Sequence, residues 1–179
     1  MDALIPPLLN GTALGALLLL TALGLTLTFG QMGVINMAHG EFIMVGAFTT
    51  FLVQLVIPDS NISIPVALPV AFVVAGLLGL LLEAGILQWM YRRPLDTLLV
   101  TVGVALILQQ AALQIFPAQG VPVENPGWLQ GQINVFGYAW PLRQVFTIGL
   151  AAACVAILAA WLKYSSFGRR IRATVQNRD

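Results

Sequence analysis

The chain has 179 residues, 59% of them hydrophobic and only 8% charged, with a net charge of +1. Ordinary soluble domains carry about 25% charged residues, so this composition excludes a water-soluble surface and describes an integral membrane protein. A single histidine and a single cysteine exclude a disulfide framework and the usual zinc clusters, so no metal or other cofactor is expected. The near-zero charge gives no reason to expect a nucleic-acid partner.

The N-terminus, MDALIPPLLNG, has Asp2 but no Lys or Arg. It lacks the basic start of a cleaved leader, so the first apolar run reads as a permanent span. That run is Thr12 to Phe29. The next are Phe42 to Ile57, Val66 to about Tyr91, Thr97 to Phe116, and Val145 to Leu162. Each approaches or exceeds the ~20 residues that cross a bilayer as a helix, the only open-ended form that satisfies its own backbone in lipid. The predicted fold is all-α: a polytopic bundle of about five spanning helices plus a broken or re-entrant segment.

Between the first two spans lies GQMGVINMAHGEFIMVGAF, Gly30 to Phe48. Gly30, Gly33 and Gly40 weaken a continuous helix there, and Asn36 and His39 offer polar atoms to freed backbone groups. Glu41 falls in the predicted first turn of the second span, where the helix dipole favours a carboxylate. Two readings fit the spacing: a broken helix lining a path, as in many transporters, or a turn in which Glu41 caps a helix and His39 is solvated. Glu83 lies within the third span, facing a cavity or a partner across the bundle. In the fourth, Gln109, Gln110 and Gln114 are neutral; Gln110 and Gln114 share a face at i, i+4 and either bridge helices or line a polar path.

Lys and Arg bias gives the orientation. Arg92 and Arg93 lie between the third and fourth spans, and Lys163, Arg169, Arg170, Arg172 and Arg178 follow the fifth. The N-terminus and the loop expected from Pro58 to Pro65 have neither. Five spans with the N-terminus outside place both basic groups in the cytoplasm; Arg143 is the exception. The same parity puts residues 117–141 outside as a loop, with Trp128, Tyr138 and Trp140 suited to a membrane interface. Small residues at four-residue spacing (Gly11 and Gly15, Ala75 and Gly79, Ala152, Ala156 and Ala160) fit either a specific helix interface or generic packing.

No G-x-S-x-G occurs, and Lys163, the only lysine, has no phosphate-binding glycine loop before it. The chain is therefore not expected to be an enzyme, and any ATP-driven step belongs to another chain.

GVINMAHGEFIMVGAF closely resembles the G-x-I-N-x-A-H-G-E signature of the branched-chain amino acid (LIV-type) ABC permease family. YRRPLDTLLVTVGVALILQQ, the segment around VENPGWL, and FGRRIRATVQNRD look most like that family's urea-transporter permeases. The likeness covers essentially the whole chain, in order. It implies one permease domain over 1–179, in the bacterial inner membrane, importing urea with ATP hydrolysed on a separate subunit. The alternatives are a branched-chain amino acid permease and a passive channel for a small neutral solute. The implied partners are a second permease, cytoplasmic ATP-binding subunits, an extracytoplasmic substrate-binding protein and membrane lipid. By the same likeness Asn36, His39, Gly40 and Glu41 border the translocation path; Gln109 and Gln110 join them as amides suited to a neutral cargo. Residues 163–179 would begin the cytoplasmic coupling segment, with Gly168, Arg169, Arg170, Arg172, Gln176, Asn177 and Arg178 facing an ATPase. Family members are longer, so the chain reads as C-terminally truncated.

Overall fold

The computed structural model describes residues 5–32, 36–90, 93–117, 120–135 and 137–165. Five long helices dominate it: α1 (Ile5–Met32), α2 (His39–Val56), α3 (Ser60–Gly85), α4 (Pro94–Ile115) and α5 (Leu142–Tyr164). All five are long and apolar enough to cross a membrane. The chain is a multi-pass helical membrane protein.

Each helix begins before the apolar run that announces it, because polar residues and prolines sit comfortably in first turns. By contrast, α2, α3 and α4 stop short of the ends of their runs, α3 at Gly85 rather than near Tyr91. α1 begins at Ile5 rather than Thr12 and takes Pro6 and Pro7 into its first turn, where a missing N–H costs nothing. Its hydroxyls bond back onto the helix: Thr12, Thr21 and Thr26 donate to the carbonyls of Leu9, Leu17 and Ala22 at 2.7–3.0 Å. α3 begins at Ser60, capped by Asp59, whose carboxylate accepts the Asn61 N–H at 3.0 Å. The connection expected over Pro58 to Pro65 therefore shrinks to residues 57–59, and Pro65 lies inside the helix with Pro69.

Packing divides the chain into two units, Met1–Thr26 with Leu129–Asp179, and Leu27–Trp128. In the first, Ala13 on α1 and Ala151 on α5 are buried. Gln144 of α5 donates to Asn10 Oδ1 at 3.0 Å and accepts from Trp140 Nε1 at 2.7 Å. At Gly11 and Gly15 an added Cβ would meet nothing within 4 Å among the described residues. The same unit contains an antiparallel hairpin, β1 (Gln132–Val135) and β2 (Tyr138–Pro141), in register Gln132 with Pro141 and Val135 with Tyr138. Gly137 turns it with φ +84°, a conformation that side chains oppose. The hairpin lies within the segment 117–141 that the sequence reads as a loop between spans, and adds local order there. It ties directly into α5, where the Leu142 N–H reaches the Gly131 carbonyl at 2.9 Å.

In the second unit α2 packs along α3, and the Cβ missing from Gly79 would stand 3.7 Å from Phe42. A short 3-10 turn, Leu87–Trp89, follows α3. The VENPG segment is pinned by amides. Gln54 Nε2 donates to the Glu124 carbonyl at 2.8 Å while Gln54 Oε1 accepts the Glu124 N–H at 3.0 Å. Asn61 Oδ1 accepts the Gly127 N–H at 2.9 Å, and Pro126 is fully buried.

Candidate functional site

The site is built on the interruption that the sequence places between the first two spans. α1 ends at Met32 and α2 starts at His39. An interrupted helix in a membrane protein must find partners for the backbone groups it frees. Asn36 supplies two: its Oδ1 accepts the Ala38 N–H at 3.0 Å, and its carbonyl accepts the His39 N–H at 3.3 Å. The Glu41 N–H closes on the Ala38 carbonyl at 3.0 Å, and Ala38 is completely buried.

The third partner comes from α4. Thr101 Oγ1 accepts the Met37 N–H at 3.2 Å and donates to the Leu98 carbonyl at 2.9 Å. One turn earlier Thr97 does the same service for the α3–α4 connection, its hydroxyl lying 3.1 Å from the Met90 carbonyl and 3.0 Å from that of Arg93. Both threonines are fully buried and, at i, i+4, share one face of α4. In sequence Thr101 reads as one of the hydroxyls and amides that could pass a neutral cargo, and Thr97 only as the start of the fourth apolar run. Their signal is a pair of hydroxyls at helical spacing in an apolar span, where polar side chains usually bridge segments.

Glu41 lies in the first turn of α2, as its spacing predicts, yet it makes no capping bond: the N-cap position is Ala38, without a side-chain partner. Its Oε1 instead accepts from Gln109 Nε2 of α4 at 2.6 Å, a short bond. From Gln109 a groove of about 320 Å³ continues between α2 and α4, lined by Met44, Phe48, Ala112, Leu113 and Phe116. Phe48 and Phe116 stack at 3.9 Å between ring centroids, and Phe51 meets Phe116 edge-on at 6.2 Å.

The structure thus brings Asn36, His39, Gly40 and Glu41 into one turn and joins Gln109 to it. Gln110 is exposed and, among the described residues, makes no bond to this group. Gly40 does not open the break; it sits inside α2, and a Cβ there would meet nothing within 4 Å. Glu83 is half-buried on α3. Gly33 and the coupling residues Gly168, Arg169, Arg170, Arg172, Gln176, Asn177 and Arg178 lie outside the described residues. Among the described residues no three His, Cys, Asp or Glu side chains gather as metal ligands would.

Comparison with known proteins identifies the frame in which this site stands. The model of one family, described as the permease component of branched-chain amino acid transport systems, matches residues 8–179. The high-affinity branched-chain amino acid transport system permease protein LivH of Salmonella typhimurium is 25% identical over 181 aligned residues, covering 94% of this chain and 58% of that protein. LivH of Escherichia coli gives the same identity and coverage. BraD of Pseudomonas aeruginosa, a permease protein of the same description, is 25% identical across 95% of this chain and 58% of its own length. The chain therefore spans 58% of the length of these relatives. No solved structure matches it. With the match covering nearly every residue, the chain belongs to the family of branched-chain amino acid transport permease components.

Proposed function

We propose that this chain is part of the inner-membrane permease of an ATP-driven importer for branched-chain amino acids, and that the turn from Asn36 to Glu41 borders the translocation path with Gln109. The observation that carries the substrate is the family match over residues 8–179, joined by relatives whose names specify branched-chain amino acid transport. Urea, the cargo suggested by the resemblance of the later segments, has no such support, so the alternative reading from the sequence is the better one. The α2–α4 groove agrees with this choice. Apart from Gln109 its walls are aliphatic and aromatic, which suits a branched apolar side chain.

In this proposal the chain works with a second permease, cytoplasmic ATP-binding subunits and an extracytoplasmic substrate-binding protein. The basic segment after α5, including Arg169, Arg170 and Arg172, meets the ATPase. ATP hydrolysis then occurs on those subunits.

The test is reconstitution of the full-length permease with its partners in proteoliposomes, followed by uptake of labelled leucine and labelled urea. ATP-dependent leucine uptake is expected. Urea uptake without leucine uptake rejects the substrate assignment, and flux without the ATPase rejects the importer in favour of a passive channel.

A further inference from the structure

Among the described residues, grooves run between α1 and α5, between α2 and α3, and between α2 and α4, and these three differ in one respect. The groove between α1 and α5, lined by Ala16, Leu19, Ile148 and Ala151, is apolar throughout. The one between α2 and α3 contains Thr49, whose hydroxyl is spent on the Val45 carbonyl at 2.7 Å. Of these three, the α2–α4 groove alone ends on a side chain bonded to a carboxylate, through Gln109 and Glu41.

We infer that the Glu41–Gln109 pair and the groove leading from it form a subsite for one aliphatic α-amino acid, its ammonium on Glu41 and its side chain between α2 and α4. The inference rests on the importer reading above and specifies what that path contacts.

The spacing on both helices supports it. Glu41, Met44 and Phe48 follow i, i+3, i+7 on α2, and Gln109, Ala112, Leu113 and Phe116 follow i, i+3, i+4, i+7 on α4. Each set forms one stripe, so the carboxylate and the apolar wall belong to a continuous surface. From Glu41 to Phe48 is about 10 Å along the helix axis. The volume of about 320 Å³ lies at the small end of the range for small-molecule sites.

The chemistry matches at both ends. An ionised carboxylate offers about four acceptor positions, so one amide proton from Gln109 leaves capacity for an ammonium group. The bond from Gln109 also fixes the orientation of the carboxylate, reducing the ordering that a ligand would otherwise impose. At the far end the Phe48–Phe116 stack limits the length of the side chain that fits. Discrimination in such a pocket is about tenfold or more for a methylene that no longer fits.

Two measurements test this on the full transporter. Ala112→Leu fills the groove and is expected to lower the ratio of leucine to alanine uptake about tenfold. The second uses Leu113→Cys with Cys154→Ala, in membranes carrying all subunits. Maleimide labelling of the introduced thiol should be slowed by leucine, but not by the leucine analogue whose amino group is replaced by a keto oxygen. Either result supports the subsite; labelling decides if Ala112→Leu abolishes all uptake. An unchanged uptake ratio together with labelling indifferent to leucine overturns the subsite alone. Absence of leucine uptake by the unaltered transporter overturns the functional reading itself.

Discussion

At Thr101 a single hydroxyl does what the interrupted segment cannot do for itself. It accepts the Met37 N–H while donating within its own helix. Thr101→Val keeps the shape and removes both bonds. Leaving that N–H without its acceptor is expected to cost about 1–3 kcal/mol, read as a lower melting temperature in detergent, with Thr101→Ser recovering most of it. Gly40→Ala makes the opposite case. The position is helical and open, so stability should hold or rise by about 0.5–1 kcal/mol. A stable Gly40→Ala protein that has lost leucine uptake would place the moving substrate against that surface; undiminished uptake would remove Gly40 from the path. Much at this scale is legible in sequence when the cause is local. Glu41 in the first turn of α2 and Asn36 bonding backbone follow from neighbours in the chain. The partners of Glu41 and Met37 do not, because Gln109 and Thr101 lie 68 and 64 residues away.

The helices themselves were legible because lipid imposes one solution on a long apolar run. Their ends were not, since Pro6, Pro7, Ser60 and Asn61 carry no hydropathy signal yet occupy first turns. The hairpin escaped notice for a different reason. Ile133 and Val135, then Tyr138 and Trp140, alternate over only four residues per strand, too short to stand out beside the prolines and glycines of the same segment. Gly137→Val should strain that turn by about 1–2 kcal/mol, detectable as faster amide exchange across residues 132–141 with α2–α4 unaffected. Gln54→Ala removes both side-chain bonds to Glu124. Protease sensitivity of residues 120–128 is expected to rise while the helices keep their exchange protection.

Among the described residues, the five spanning helices bury very few of their residues within the protein. Leu18, Phe72, Leu80 and Leu81 are among many large apolar side chains left exposed, a surface that lipid or neighbouring membrane helices cover and water would not tolerate. Orientation is tested at this scale by thiol labelling in a Cys154→Ala background. If the basic residues face the cytoplasm, an impermeant reagent applied to intact cells should label Asn134→Cys and spare Arg93→Cys. Inverted vesicles should reverse the pattern, and the opposite result in both would invert the proposed topology. The two threonines of α4 carry a mechanical consequence. They are one helical turn apart, about 6 Å along the axis, and one anchors the peptide before α2 while the other anchors the turn at Met90 and Arg93. A packed helical turn is stiff, so a push at the Arg93 end cannot be absorbed between them. Both connections hang from one buried face of α4, so a rigid tilt of that helix would carry the Asn36–Glu41 turn and the Met90–Arg93 turn together.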